Sequence, residues 1–173
     1  MRKVIMLGLA TFLSAADLSQ VIESPDATAI LKKDALPLAK MYTMPEGCVS
    51  DDKAAIARGQ YLFHNLNGKD AKENPPEGIS RKLADGKDKQ FGNCVACHNI
   101  EGAKGYGNIG PDLSKYKELF MDSGARNPQF MYQKIADPRV DNAQTHMTVN
   151  LANGLFSERE VCDLVSYIAA VKK

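Results

Sequence analysis

The sequence has no tryptophan and only six tyrosines and six phenylalanines among 173 residues. So few large rings imply a thin apolar core, to which a bound cofactor would add buried surface. An excess of one charge is also missing. Lysine and arginine number 22 against 21 acidic residues, a formal net charge of +1. That excludes the basic footprint of a nucleic-acid-binding chain or of one held electrostatically on an anionic membrane. No apolar run reaches the roughly 20 residues of a membrane span. Internal repeats and strand-rich segments are absent too. Cysteine is scarce, with four residues and a single Cys-x-x-Cys pair. A structural zinc site takes about four ligands, usually as two pairs, and the second pair is not there. A thioredoxin-like dithiol wants a βαβ context, and none is visible.

What is present begins with an export pattern. Arg2 and Lys3 precede an uncharged apolar run, Val4 to Ala16, which Asp17 ends. Ser14-Ala15-Ala16 supplies small residues for cleavage after Ala16. We read residues 1–16 as a signal peptide and the mature chain as periplasmic. No cysteine follows the apolar run, so a lipoprotein signal is absent. Removing residues 1–16 takes two basic residues and leaves 20 basic against 21 acidic, a charge of −1. Disulfides are allowed outside the cytoplasm.

The mature chain divides into an N-terminal extension, residues 17–49, and a domain, residues 50–173. Pro25, Pro37 and Pro45 break the extension, and Ala27 to Lys33 fits one short helix. Ser50 is the expected cap of a helix over Lys53 to Leu66, with Gly59 inside it. A mid-helix glycine costs about 1 kcal/mol against alanine and often marks a close backbone approach. Residues 67–90 are polar, with Pro75-Pro76 and three glycines, and read as a solvated loop. A short helix is expected at Tyr116 to Met121. Another starts at Pro128 and stops at Asp137-Pro138. The clearest element follows the capping box Ser157-Glu158-Arg159-Glu160. There Val161, Leu164, Val165, Ile168 and Val171 recur at helical spacing. The fold class is mostly α.

Cys94-Val95-Ala96-Cys97-His98 is the C-x-x-C-H pattern of c-type haem attachment. Two thiols at this spacing meet the two vinyl groups of one porphyrin. The adjacent histidine is then carried under the ring as an iron ligand. One such motif implies one covalent haem c. Electron transfer asks for a second axial ligand. The mature chain offers Met41, Met44, Met121, Met131 and Met147, with His146 beside the last. Met121 and Met131 sit at apolar helical positions that suit core packing. His64, at a helix end, suits packing better than ligation.

Gly107-Asn108-Ile109-Gly110-Pro111-Asp112-Leu113 resembles the G-x-x-G-P-x-L loop of class I cytochromes c. The resemblance implies a class I cytochrome c-like single haem domain behind the N-terminal extension. It implies that the Pro111 carbonyl accepts a hydrogen bond from His98, and that Gly59 lets the first helix cross the last near Tyr167. It places the ligand loop between the third and last helices, where Met147 lies, with His146 the lesser alternative. Packed in that way, Cys48 and Cys162 come together as a disulfide candidate, the alternative being a cysteine that pairs with another subunit.

Phe91-Gly92-Asn93-Cys94 and the segment from Asp137-Pro138-Arg139 through Asn142 and Thr145 to Met147 also resemble the SoxX family of monohaem cytochromes. The helix from Ser157 to Val171 resembles the end of that family. One departure is Thr148, where the family has proline after the methionine. The resemblance implies an electron-transfer subunit of the thiosulfate-oxidising SoxAX complex (an L-cysteine S-thiosulfotransferase). It implies a SoxA-like cytochrome as heterodimer partner, with the SoxYZ carrier and a downstream cytochrome as transient partners. Nucleic acid and membrane are not expected partners. Cys94, Cys97, His98, Met147 and Pro111 would be cofactor-binding, His98 and Met147 the metal ligands, and catalytic residues none. A free-standing electron shuttle and a haem enzyme with an open sixth position are the other readings.

Overall fold

The computed structural model describes residues 37–103 and 107–170, which belong to one compact unit, Leu36–Lys173. The export signal at 1–16 and the short helix at 27–33 lie outside the described residues. Among the described residues three α-helices carry the fold: α1 (Lys53–His64), α2 (Pro128–Ala136) and α3 (Glu158–Ala170). Among the described residues there are no strands. Asn67–Gln90 and Lys82–Asp88 form isolated bridges.

Each helix starts on a side-chain cap. The cap of α1 is Asp52 rather than the expected Ser50. Its carboxylate accepts from the Ala54 and Ala55 N–H groups at 3.1 and 3.4 Å, a geometry worth about 1 kcal/mol. Ser50 instead donates its N–H to the Ser166 hydroxyl at 3.0 Å, tying the chain to α3 before the helix begins. The far end of α1 falls two residues short of Leu66. Asn65 turns into extended backbone and folds its side-chain amide back onto the Tyr61 carbonyl at 2.9 Å. Asn127 caps α2 through the Phe130 N–H, with Pro128 in the first turn, where its missing N–H costs nothing. The capping box of α3 is reciprocal: the Ser157 hydroxyl accepts the Glu160 N–H, and Glu160 accepts the Ser157 N–H at 3.0 Å.

α1 and α3 pack together most extensively. A methyl group at Gly59 would run into the Asp163 carbonyl and the Tyr167 Cβ, so only glycine permits this crossing. Beside it Arg58 and Asp163 form a buried two-pronged ion pair, both bonds 2.8 Å. Leu62, Phe63, Val161, Leu164 and Val165 are fully buried around the contact. Each contributes about 1.5–3 kcal/mol of burial. A disulfide joins Cys48 to Cys162 and pins the segment before α1 onto α3. The Ser166 hydroxyl donates to the Cys48 carbonyl at 3.2 Å and fixes the same junction.

Residues 67–90 are more ordered than a solvated loop. Ala71 and Ile79 are buried, and Lys89 pairs with Glu160 at the start of α3. Lys117–Met121 is a single π-helical turn rather than an ordinary helix. The described end of the extension, residues 37–49, runs along α2 and ends at the disulfide.

Candidate functional site

The turn into the Cys-x-x-Cys-His motif is set by Asn93, whose backbone is left-handed at φ 44° and ψ 41°. Asparagine tolerates that conformation better than most residues. Cys94–Ala96 then forms one 3-10 turn, and neither Cys94 nor Cys97 is in a disulfide. Burial pushes the Cys94 thiol up to about 12.

The loop that follows folds back on the motif. Gly107 N–H donates to the Val95 carbonyl, Gly110 N–H to Cys97 and Leu113 N–H to Asn99, at 2.8–2.9 Å. Asn99 and Ser114 both hold the Asp112 carboxylate, and these bonds keep it below the usual carboxylate range. The lacing places the Pro111 carbonyl 2.8 Å from His98 Nδ1. An N–H there donates to the carbonyl, which leaves Nε2 as the free lone pair. Gly110 lies directly against the imidazole.

Cys94, Cys97 and His98 line a cavity of about 470 Å³. All three helices wall it, through Phe63 of α1, Met131 and Ile135 of α2, and Leu164 and Ile168 of α3. Met147 lines it from the loop between α2 and α3, half-buried, with its N–H on the Thr145 hydroxyl at 3.1 Å. His146 also lines the cavity but is exposed.

The other candidates lie elsewhere or serve packing. Met131 is a buried core residue that also lines the cavity. Met44 and Met121 pack on the core edge, and Met41 is exposed. His64 is not in the cavity wall. Its Nε2 meets the Tyr167 hydroxyl at 2.8 Å, and burial lowers its pKa below the ordinary value.

The family model for cytochrome c matches residues 56–172. The chain belongs to the cytochrome c family. No curated protein matches it in sequence. A cytochrome c carries covalently attached haem c and transfers electrons through it. The cavity of this cytochrome fits that group on its own chemistry. It is largely apolar, two unpaired thiols and an oriented imidazole share it, and a side chain at Gly110 would intrude on that imidazole.

Three residues of the cytochrome site have roles that the motifs did not assign, Gly110 among them although it stands in the G-x-x-G-P-x-L loop. Gly110 makes room for the His98 ring. Arg126 lines the cavity with its guanidinium 4.9 and 4.5 Å from the Phe120 and Phe130 rings. Lys134, the other long cation of the wall, pairs with Asp141 at 2.7 Å, whereas Arg126 has no acidic partner among the described residues. Asn150 is buried and lines the cavity, with its side chain on the Ile135 carbonyl at 2.6 Å. The Asn150 and Leu151 N–H groups both reach the Ala136 carbonyl at 3.1 Å, so the Met147 loop starts and ends at the last turn of α2. A glycine before a proline and an asparagine after the loop were the available signals, and neither is specific.

Proposed function

We propose that this cytochrome is the SoxX-like electron-transfer subunit of a thiosulfate-oxidising complex, with Cys94 and Cys97 as thioether anchors and His98 and Met147 as axial ligands. The observation that carries the electron-transfer part is geometric. Both thiols, the imidazole and the Met147 side chain converge on one cavity, and the Pro111 carbonyl occupies His98 Nδ1. The hydrogen bond to Pro111 makes the imidazole a stronger donor and fixes its plane. A thioether as the second ligand raises the reduction potential relative to imidazole. Haem c supplies the one-electron chemistry when bound. His98 and Met147 would hold the group from the protein side, and Phe63, Ile135 and Leu164 would present apolar surface to it.

The finer reading rests on the ligand loop. Asp137-Pro138-Arg139 has a structural reason to exist. Asp137 is fully buried and holds Arg139 through two bonds, 2.9 and 2.7 Å, at the point where α2 gives way to the loop. The loop then carries Asn142 and Thr145 to Met147, the pattern on which the SoxX resemblance stands. In that role a SoxA-like cytochrome is the permanent partner and conjugates thiosulfate to a carrier cysteine on SoxYZ. Sulfur–sulfur bond formation breaks the carrier's S–H bond, and releases one proton to solvent and two electrons. This subunit takes them one at a time and passes them to a downstream cytochrome. A periplasmic location agrees with the Cys48–Cys162 disulfide, which persists in oxidising compartments.

The test is purification of the mature chain from its host's periplasm. Gel filtration at moderate salt followed by mass spectrometry should find a second cytochrome at fixed stoichiometry. A lone monohaem protein would make it a soluble electron shuttle instead.

A further inference from the structure

One side of α2 presents Gln129, Gln133 and Asp137 at intervals of four residues, and all three grip the same neighbour. Gln129 accepts the Met44 N–H at 2.7 Å and donates to the Tyr42 carbonyl at 2.8 Å. Gln133 accepts the Tyr42 N–H at 2.7 Å and donates to the Lys40 carbonyl at 3.1 Å. Asp137 accepts the Lys40 N–H at 3.2 Å. Arg139, held by Asp137, donates to the Pro37 carbonyl at 2.8 Å. The side chains of α2 thus satisfy the backbone of residues 37–44 much as a neighbouring strand would.

The match is metric. Four residues of helix rise about 6.0 Å. Two residues of extended chain rise about 6.4–6.8 Å. Side chains every fourth position therefore meet the backbone groups of alternate residues, here 44, 42 and 40. Only backbone groups are read, so the face recognises an extended segment whatever its side chains. Tyr42 and Met44 also face inward onto the core edge, while Lys40, Met41 and Thr43 are exposed.

The last rung of this ladder is the first residue of the ligand loop. Asp137 ends α2 and caps the turn Pro138–Val140, from which the chain runs on to Met147. The loop returns at Asn150 to the carbonyls of Ile135 and Ala136. Its base is therefore clamped between Asn150 on the inside and the 37–44 strap on the outside. The disulfide at Cys48 anchors the strap four residues beyond Met44.

We infer that Gln129, Gln133 and Asp137 are positioning residues that use residues 37–44 as a brace on the ligand loop, and so set how readily an added ligand displaces Met147. The inference rests on the reading of Met147 as axial ligand. The brace makes no contact with the iron ligands themselves. It acts by denying the loop base the freedom to swing away from the cavity. Buried amides that lose their partners cost stability, so displacement by an external base must first break this ladder or strain it.

The experiment titrates the oxidised holoprotein with imidazole, following the sulfur-to-iron charge-transfer absorbance. Gln129→Leu together with Gln133→Leu removes four of the five rungs, and with them the Gln133 donation to the Asp137 carbonyl at 2.9 Å, without changing a residue of the cavity wall; Gln129→Leu alone removes strap contacts only. Gln129→Leu alone, at the half-buried end, is the milder variant if the pair does not fold. Arg58→Met, between α1 and α3, reports the effect of lost stability away from the loop. The double variant should bind imidazole at least tenfold tighter, the single variant about threefold, with Arg58→Met within twofold of wild type. Folded, haem-loaded variants with wild-type imidazole affinity would overturn the brace alone. So would an equal tightening in Arg58→Met. A wild-type protein without the charge-transfer band would overturn the Met147 reading, and the brace with it.

Discussion

The His98 ring lies so close to Gly110 that a methyl group there would overlap its Nδ1 and Nε2 positions, at 2.6 and 2.8 Å. The same ring is held on its Nδ1 side by the Pro111 carbonyl. Neighbouring residues thus do opposite things to one imidazole: one leaves space and the other fixes direction. Gly110→Ala should therefore displace the ring. Overpacking of this kind costs about 1–3 kcal/mol. The expected result is a lower haem-to-chain ratio after expression and a lower urea midpoint for what is loaded. Full loading with an unchanged midpoint would mean that the loop shifts freely, and that glycine is not required.

Arg126 has a distinct prediction. It is a cation fixed by two aromatic rings at a cavity whose cofactor carries two carboxylates. Lys134 is already paired with Asp141, so among the described residues of the cavity wall Arg126 is the long cation without an acidic partner, placed to neutralise a propionate. Arg126→Gln should expose that negative charge to the iron and favour the oxidised state. A three- to tenfold shift in the one-electron equilibrium lowers the potential by about 30–60 mV. Potentiometric titration at several pH values reads it. An unaltered potential and pH profile would place the propionates elsewhere.

The helices and the haem motif were readable because their signals are local. The Ser157–Glu160 capping box and the apolar spacing after it define α3 without reference to anything distant. Cys94 to His98 is a contiguous pattern. The misread positions depend on contacts far along the chain. Ser50 looks like a cap by type, but its hydroxyl accepts the Asp52 N–H at 3.0 Å while its own N–H is held by Ser166, 116 positions away, and Asp52 caps instead. The polar stretch 67–90 carries too few apolar residues to signal order. Yet Ala71, Ile79 and the Lys89–Glu160 pair fasten it to the core. Gln129 and Gln133 look like ordinary helix-surface amides until residues 40–44 are laid across them.

The ion pair of Arg58 with Asp163 separates two kinds of cost. Both side chains are nearly fully buried, and the Asp163 bonds raise the Arg58 pKa further above its ordinary value. Removing one partner strands the other charge in the interior, at about 3–5 kcal/mol. Replacing both by apolar residues avoids that penalty. Arg58→Met should lower urea stability by that amount, and Arg58→Met with Asp163→Leu should recover most of it. A double variant as unstable as the single one would mean the pair does more than satisfy itself.

Cys48 and Cys162 are 114 positions apart. Closing so long a loop restricts the unfolded chain by about 4–5 kcal/mol in the chain-entropy model, and removal of native bridges typically costs about 2–5 kcal/mol. Cys48→Ala with Cys162→Ala should lose stability in that range while keeping the haem, since the proposed thioether anchors are the other two cysteines, Cys94 and Cys97. Urea unfolding of the reduced wild type should agree with the variant. Equal stability with and without the bridge would show that the Ser50 and Ser166 hydrogen bonds hold the junction unaided.

His64 gives the chain a pH response near neutrality. Burial lowers its pKa, with Glu73 acting weakly the other way, while burial of Tyr167 raises that phenol to about 12. The phenol therefore keeps its proton, and it shares a hydrogen bond with the neutral His64 Nε2 across 2.8 Å. In the unfolded chain the imidazole titrates near its ordinary value of about 6.5. Between that value and the lower folded one, the unfolded state binds more protons than the folded state. Stability contributed by this pair is thus complete above about pH 7 and falls as the pH drops through 6.5 towards the folded pKa. His64→Gln keeps a hydrogen-bond partner for the phenol but cannot titrate. Urea midpoints at pH 5, 6 and 7 should fall more steeply for wild type than for the variant. Parallel curves would mean that the folded protein protonates His64 as easily as the unfolded chain does.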